Sequence, residues 1–337
     1  MLWTQGCKAA MDTPLLQVQN LTTQFQLVTQ RVSAVENLTI SLSENEILGL
    51  AGESGCGKSV TIQSILRLLP STALILPGSK ILYRDRDILS LSEEELNTLR
   101  GKDLSIVFQE PSASFNPLFS VGKQIAEVIR THEKNVSPKE AIDRATELFR
   151  QVRIPHPEIR VHYFPFQFSG GMLQRALIAL SLACSPRILF ADEPTTSLDP
   201  STQIGILDLL LDRKEATGMS ILFVSHDLTL LGGITDRICV MYAGRMLESS
   251  PTRELMGEPL HPYTQDLLAS VPKGGTFKKE KRLYSIQGKV PDPAHHPRGC
   301  KYHPRCSHAF DRCTVEEPGL YGTGSHQVRC WLYVDTR

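Results

Sequence analysis

Gly52-Glu53-Ser54-Gly55-Cys56-Gly57-Lys58-Ser59 fits the pattern G-x-x-x-x-G-K-[ST], a loop type that cradles phosphate groups. Ahead of it, residues 46–51 (Glu46-Ile47-Leu48-Gly49-Leu50-Ala51) read as a short buried strand. Behind it, residues 60–69 read as an amphipathic helix that opens at Val60 and stops before Pro70. Strand, loop and helix in that order turn the pattern into a mechanism. The glycines let backbone N–H groups converge on phosphate oxygens without a Cβ in the way, and the helix N-terminus adds a favourable dipole. Lys58 then reaches the β- and γ-phosphates, and the Ser59 hydroxyl binds Mg²⁺. The plainer reading is a glycine-rich turn that happens to precede a helix. The flanking context favours the phosphate loop, and with it a nucleoside triphosphate ligand.

Two later stretches narrow the architecture. Residues 187–194 form an apolar strand that delivers Asp192 and Glu193 at its C-terminal end. In a parallel sheet that edge faces the phosphates, so Asp192 is placed to hold Mg²⁺ through water and Glu193 to polarise the attacking water. Paired carboxylates at a strand end also serve simply as caps for a following helix. Ser169-Gly170-Gly171-Met172 opens a helix over residues 173–182 and makes a second glycine-led N-terminus suited to an anion. A head-to-tail dimer accounts for both anion sites, with each ATP between the phosphate loop of one subunit and this second loop of its partner.

From about residue 15 to 255 these motifs resemble the nucleotide-binding domain of ABC ATPases. The resemblance implies an α/β fold, a P-loop domain with a mixed sheet core and a helical subdomain over about residues 110–183. It identifies Gln109, in Val107-Phe108-Gln109-Glu110-Pro111, as the glutamine that senses Mg²⁺ and the γ-phosphate. It makes Phe168-Ser169-Gly170-Gly171-Met172-Leu173-Gln174 the signature motif, with Phe168 in place of the commonest leucine. Ser197-Leu198-Asp199 resembles the D-loop, and His226 in Ser225-His226-Asp227 the switch histidine. Phe25 stands where the family keeps an aromatic to stack on adenine, although a lone Phe in an apolar strand also reads as core. Asp227 reads as the cap of a helix starting near Leu228. With every chemically essential position intact, the expected activity is ATP hydrolysis, not that of a degenerate partner.

Composition fits a soluble component. Thirty-six basic residues balance thirty-six acidic ones, and 41% of the 337 residues are hydrophobic, enough for a full core. Zero net charge counts against a protein that binds nucleic acid by neutralising phosphates. No run is long and apolar enough to span a bilayer; the nearest, residues 176–191, is broken by Ser185-Pro186-Arg187. Residues 1–10 lack the apolar core of a secretory signal, and Met11 is an alternative start. The organisation read from the chain is an extension over residues 1–14, a nucleotide-binding domain over 15–257, and a tail over 258–337 where Pro, His, Lys and Cys rise.

Four of the eight cysteines, Cys300, Cys306, Cys313 and Cys330, fall in that tail with the spacing C-x5-C-x6-C-x16-C. Disulfides are not expected in a reducing cytosol. Four thiolates suit a tetrahedral Zn²⁺ or a [4Fe–4S] cluster. Loop closure does not choose, since the longest spacer costs only ~1 kcal/mol more than the shortest. No C-x2–4-C turn of the zinc-knuckle kind is present. Structural thiols without metal are a further reading, and His303 and His308 are possible substitute ligands. Lys301, Arg305, Arg312 and Arg329 lie close enough in sequence to offset a cluster's negative charge. Because none of these residues belongs to the ATP motifs, loss of a cluster is expected to loosen the tail and its docking to partners and to leave nucleotide binding largely intact.

His261-Pro262-Tyr263-Thr264, the run Gly299-Cys300-Lys301-Tyr302-His303-Pro304-Arg305-Cys306, and the later Cys313 and Cys330 resemble the C-terminal region of oligopeptide/dipeptide importer ATP-binding subunits. This resemblance extends to about residue 333 and ranks the iron–sulfur cluster above zinc. It implies a peripheral subunit on the cytoplasmic face of the inner membrane. The partners it implies are a second ATPase subunit (a paralogue), two transmembrane permease subunits and an extracytoplasmic substrate-binding protein. Nickel chelates or another small cargo are the alternative load. A soluble ABC ATPase acting on nucleic acid or ribosomes is disfavoured by the balanced charge, the single domain and the lack of sustained heptads.

Overall fold

A computed structural model describes residues 14–334 except 29, 197, 272–283 and 323. The N-terminal extension, its Met11 and Ser197 of the D-loop segment therefore lie outside the described residues, apart from the extension's last residue, Pro14. The architecture is α/β, built on two sheets. The first is antiparallel: β1 (Leu16–Gln26) pairs with β2 (Arg31–Leu42), β4 (Ala73–Ile75) and β5 (Lys80–Tyr83), and β5 pairs with β6 (Arg86–Asp87). The second uses β3 (Ile47–Ala51), β7 (Leu104–Val107), β8 (Ile188–Asp192), β9 (Ser220–Ser225), β10 (Arg237–Tyr242), β11 (Arg245–Pro251) and β12 (Gln327–Val328) in the order β12-β11-β10-β3-β9-β8-β7. The run from β10 to β7 is parallel and β11 and β12 are antiparallel to it, so the sheet is mixed.

Every residue of β3, β8 and β9 is buried, as expected for parallel strands covered on both faces. Alternate side chains go to opposite cores. Ile47, Ala51, Leu189, Ala191, Ile221 and Phe223 join the core shared with the helices, whereas Leu48, Leu50, Ile188, Phe190, Leu222 and Val224 face the antiparallel sheet. On that second side lie α1 (Lys58–Ile65) and α2 (Glu93–Leu99). Helix α2 starts at a full capping box, Ser92 with Glu95.

Helix α1 stops earlier than its sequence implies. Arg67 turns into the left-handed region (φ 51°), and the Leu68 N–H bonds back to the Gln63 carbonyl at 2.8 Å. Arg100 then caps the end, its guanidinium donating to the Leu66 and Arg67 carbonyls at 2.8 Å each.

Between β7 and β8 the chain is helical: α3 (Pro111–Ser114), α4 (Val121–His132), α5 (Pro138–Gln151), α6 (Pro157–Arg160) and α7 (Gly170–Ser181). Buried Phe149 of α5 meets Phe168 edge-on at 6.0 Å, and Tyr163 meets the same ring at 6.3 Å. Phe168 is thus a packing residue ahead of α7. After β8 come α8 (Pro200–Thr217), α9 (Leu228–Ile234), α10 (Thr252–Gly257), α11 (Pro262–Ser270) and α12 (Asp311–Val315).

The tail is anchored to the core at several points. β12 adds itself to β11. Glu248 of β11, fully buried, accepts from the Leu260 and His261 N–H groups at 2.7 and 3.0 Å and faces His326 Nε2 at 2.7 Å. Glu36 of β2 holds Lys301 at 2.9 Å, His296 at 3.3 Å and Arg245 at 3.5 Å. Burial opposes ionisation of Glu36, but bonds to His296 and Lys301 with the charges of Lys301 and Arg245 outweigh it, lowering the carboxyl from 4.5 to about 2.

A lowered carboxyl contributes stability above its unfolded value and loses it as pH falls through the folded one. The Glu36 contribution, on the order of 3 kcal/mol, is therefore complete above about pH 4.5 and lost toward pH 2. Urea unfolding across that window should show a shallower acid limb for Glu36→Gln than for the wild type. An identical acid limb would contradict this account.

Candidate functional site

The parallel register lines up the C-terminal ends of three strands. Ala51 of β3 pairs with Ser225 of β9, and Val224 of β9 with Asp192 of β8. The loops that leave these ends therefore emerge on one edge: Gly52 to the phosphate loop, Glu193 beyond β8, and His226 beyond β9. Gln109 follows β7 on the same edge.

Within the phosphate loop, Gly52, Cys56, Gly57 and Lys58 are buried, Glu53, Ser59 and Val60 are half-buried, and Ser54 and Gly55 are exposed. Gly57 has φ 107°, and a Cβ there would lie 2.4 Å from the Ala34 carbonyl oxygen. At Gly52 (φ 148°) a Cβ would meet the Met241 carbonyl oxygen at 2.3 Å. Only glycine satisfies both conditions. Burial pushes the Cys56 thiol up, and the side chain packs inside the loop, not toward its mouth. Lys58 Nζ donates to the Gly52 and Glu53 carbonyls at 2.7 and 3.1 Å.

The carboxylates face this lysine. Ser59 Oγ donates to Asp192 Oδ1 at 2.9 Å. Burial raises Asp192 and the neighbouring Glu193 charge adds to the rise, while Ser59 and Lys58 oppose it. A carboxylate so placed gains from a cation beside it. Glu193 adopts φ 46°, an uncommon conformation for a residue with a side chain, and gathers the rest of the site. Its carboxylate lies 3.9 Å from Lys58 Nζ, accepts from Thr196 Oγ1 at 2.9 Å and Gln109 Nε2 at 3.4 Å, and sits 3.3 Å from His226 Nδ1. Lys58, Gln109, Glu193 and His226 are thus brought together, and Ser59 with Asp192 beside them.

Other sequence-derived positions lie elsewhere. Ser169 caps α7, its Oγ accepting from the Met172 N–H at 3.4 Å. Gly171 packs on α8, where a Cβ would meet Thr202 at 2.7 Å, whereas Gly170 faces open space. Asp199 caps α8 by accepting from the Ser201 and Thr202 N–H groups and hydroxyls, which hold its carboxyl well below the usual range. Asp227 caps α9 as its sequence implies. Phe25 is half-buried in β1, opposite Val32 of β2 and Ala73 of β4.

The four tail cysteines line one small enclosed cavity together with His261, Tyr302, His303, His308 and Trp331. All are free thiols; burial and the neighbouring cysteines push Cys300 up to about 12 and Cys330 up to about 11. Among the described residues, no group of three or more His, Cys, Asp or Glu side chains converges to hold a metal ion. The expected ligand set is therefore gathered around a cavity without closing on one ion position.

The cations expected around those cysteines are mostly engaged elsewhere. Arg305 pairs with Glu53, Lys301 with Glu36, and Arg312 with Glu316 while stacking on Trp331 at 3.6 Å. Arg329, half-buried, donates to the Met246 and Pro318 carbonyls. The tail also touches the phosphate loop directly. Arg305 holds the Glu53 carboxylate at 2.6 and 3.1 Å, and the Tyr263 hydroxyl accepts from the Glu53 N–H at 2.9 Å. Sequence reasoning missed this contact because its partners are more than 200 residues apart and no local pattern encodes it. Thr196, which holds Glu193, was also missed.

Comparison with known proteins agrees with this geometry. A family profile described as ABC transporter matches residues 35–196, and one described as the C-terminal region of oligopeptide/dipeptide transporters matches residues 247–313. The chain is 41% identical over 321 residues to the oligopeptide transport ATP-binding protein OppD of Bacillus subtilis, covering 95% of this chain and 89% of that protein. It is equally similar, at 41% over 321 residues, to AppD of the same organism, covering 95% of this chain and 97% of that one. Among solved structures it resembles the dimeric ATP-binding cassette MJ0796 in a post-hydrolysis state bound to ADP and Pi, with a TM-score of 0.64 at 25% identity over 71% of this chain and 99% of that one. No helix among the described residues is long and apolar enough to cross a membrane. The chain belongs to the ABC transporter family, in its oligopeptide/dipeptide branch of ATP-binding proteins, and its chemistry is ATP hydrolysis.

Proposed function

We propose that this protein is the ATP-hydrolysing subunit of a membrane importer for di- and oligopeptides. The observation that carries the reading is the convergence of Lys58, Gln109 and His226 on one carboxylate, Glu193, at the edge that bears the phosphate loop. In this assignment residues 52–60 bind the triphosphate and Lys58 neutralises its charge. Glu193 orients and polarises the attacking water, His226 faces the γ-phosphate, and Phe25 stacks on adenine. Ser59, Asp192 and Gln109 would hold Mg²⁺, which supplies charge to the phosphates. Ser169, Gly170, Gly171 and Asp199 serve the opposite side of the nucleotide in a head-to-tail dimer. ATP then favours the closed dimer by its differential affinity, and hydrolysis lets it reopen.

The reading assigns residues 15–257 to the nucleotide-binding unit and 258–337 to the tail. Its partners are a paralogous ATPase, two transmembrane permease subunits and an extracytoplasmic substrate-binding protein, with the protein peripheral on the cytoplasmic face of the membrane. The names of the relatives, oligopeptide transport ATP-binding proteins, support the cargo class.

For the tail, the reading is a [4Fe–4S] cluster on Cys300, Cys306, Cys313 and Cys330. A tetrahedral zinc site, with Zn–S near 2.3 Å, draws four sulfurs to within about 3.8 Å of one another. The four cysteines line one cavity, the gathering that either group would need, and the resemblance to the oligopeptide/dipeptide branch is what ranks the cluster above zinc.

Glu193→Gln is expected to retain ATP binding, trap the closed dimer and cut turnover by at least ~100-fold; wild-type hydrolysis would remove Glu193 as the base. Lys58→Ala is expected to weaken ATP binding ~10-fold or more, measured by calorimetry.

Gly170→Ala separates folding from dimer chemistry. A Cβ there meets nothing in the subunit, so unfolding stability should hold or rise by about 0.5–1 kcal/mol. ATP-dependent dimerisation should nonetheless weaken, because the methyl would stand between α7 and the partner's nucleotide. Undiminished dimerisation would remove Gly170 from the interface.

Anaerobically purified protein should contain about four irons and four sulfides per chain. Stoichiometric zinc without iron, or no metal at all, would replace the cluster with one of its alternatives.

A further inference from the structure

The residue that links the two halves of this chain is Glu53, the first variable position of the phosphate loop. It is gripped at three places. Its carboxylate receives both Nη atoms of Arg305 at 2.6 and 3.1 Å, a fork-to-fork geometry that fixes orientation as well as distance. Its N–H donates to the Tyr263 hydroxyl at 2.9 Å, and its carbonyl accepts from Lys58 Nζ at 3.1 Å. Two of those three grips come from the tail.

Arg305 itself is tightly housed. Its side chain is 4% exposed, its Nε donates to the Gln287 carbonyl at 2.9 Å and its Nη1 to the Tyr242 hydroxyl at 3.3 Å. The guanidinium stands over the rings of Tyr242 and Tyr302 at 5.7 and 5.9 Å. Tyr263 is fully buried between the same two rings, at 4.7 and 5.1 Å, and the Tyr302 hydroxyl bonds Asp266 of α11. A mere anchor for the tail needs only a surface carboxylate. Here instead a box of three tyrosines aims a buried arginine at the loop that receives the phosphates.

We propose that Arg305 is a positioning residue for ATP: through Glu53 the C-terminal tail sets the conformation of the phosphate loop and thereby ATP affinity. The proposal rests on the assignment of residues 52–60 as the triphosphate site. Arg305 ends a short turn, His303–Arg305, bracketed by Cys300 and Cys306, so the packing of the cysteine cavity bears on the same arm. Lys58 must leave the Glu53 carbonyl to reach a phosphate oxygen, and the tail determines where that carbonyl sits.

The test uses the full-length protein. ATP affinity by calorimetry and steady-state ATPase are measured for Arg305→Gln, Glu53→Gln, the double variant and Arg305→Lys, with urea unfolding of each. Each single glutamine variant should raise the ATP Kd and KM about five- to tenfold, and Arg305→Gln should keep kcat within about twofold. The double should be no worse than the poorer single, since both remove one interaction, and Arg305→Lys should recover part of the affinity. Variants that unfold earlier yet bind ATP with wild-type affinity, or that add their effects independently, overturn the proposal and leave a structural latch.

A wild-type measurement covers the case in which the variants do not fold. Linkage is reciprocal, so ATP should change hydrogen exchange of the amides of Tyr302, His303, Arg305 and Cys306; unchanged exchange at saturating ATP overturns the proposal. Failure of the underlying site assignment has a different signature, namely ATP affinity unaltered by Lys58→Ala.

Discussion

The proposed catalytic grouping of this chain depends on a few fully buried parallel strands that cannot slip past one another. A one-residue shift in β3, β8 or β9 would exchange Leu48 and Leu50 for Ile47 and Ala51, moving each apolar set into the wrong core. That penalty holds Ala51, Asp192 and Ser225 at one edge. With the edge fixed, the next residue of each loop has little choice of position, and Lys58, Glu193 and His226 meet without any direct sequence relation. The left-handed backbone of Glu193 is tolerated because its N–H is held by the Val224 carbonyl at 3.2 Å and its carboxylate by Thr196.

The tail is fastened by polar contacts that burial makes selective. Glu248, Glu36 and Glu53 each face a basic group of the tail: His326, Lys301 and Arg305. Buried pairs of this kind add less net stability than their attraction implies, because both charges lose water. Their worth is geometric. Removing one partner strands the other, so only one docking of the tail satisfies all three carboxylates. Apolar packing of Tyr242, Tyr263 and Tyr302 supplies the area, and the ion pairs supply the register.

How much of this was legible follows from the range of the interactions. The phosphate loop, the Asp192-Glu193 strand end and the Asp227 cap are local, and each was read from its own few residues. Family resemblance added Gln109 and His226, whose grouping with Glu193 depends on strands far apart in the chain. The end of α1 was misread because its stop lies in Arg100, thirty-three residues past Arg67, whereas Pro70 offered a nearer signal. The tail cations were assigned to the cysteines on sequence proximity alone. For Arg305 and Lys301 the actual partners, Glu53 and Glu36, lie more than 250 residues upstream, and charge balance in a linear sequence gives no way to choose them.

The position of Lys58 joins these strands of argument. Its Nζ holds the Gly52 and Glu53 carbonyls, and in the proposed triphosphate site phosphate oxygens would compete with those two acceptors for its protons. A charge-assisted bond to a phosphate is stronger than one to a neutral carbonyl, so the exchange favours nucleotide, by a margin that depends on how well the loop tolerates losing the lysine. A loop held only by Lys58 would open as the lysine left. Here the Glu53 N–H and carboxylate remain fixed by Tyr263 and Arg305, and the glycines at positions 52 and 57 keep backbone paths that no other residue could follow. On the proposed assignment the loop would keep its shape while its lysine changes partners, which is the preorganisation that charge stabilisation at a phosphate requires.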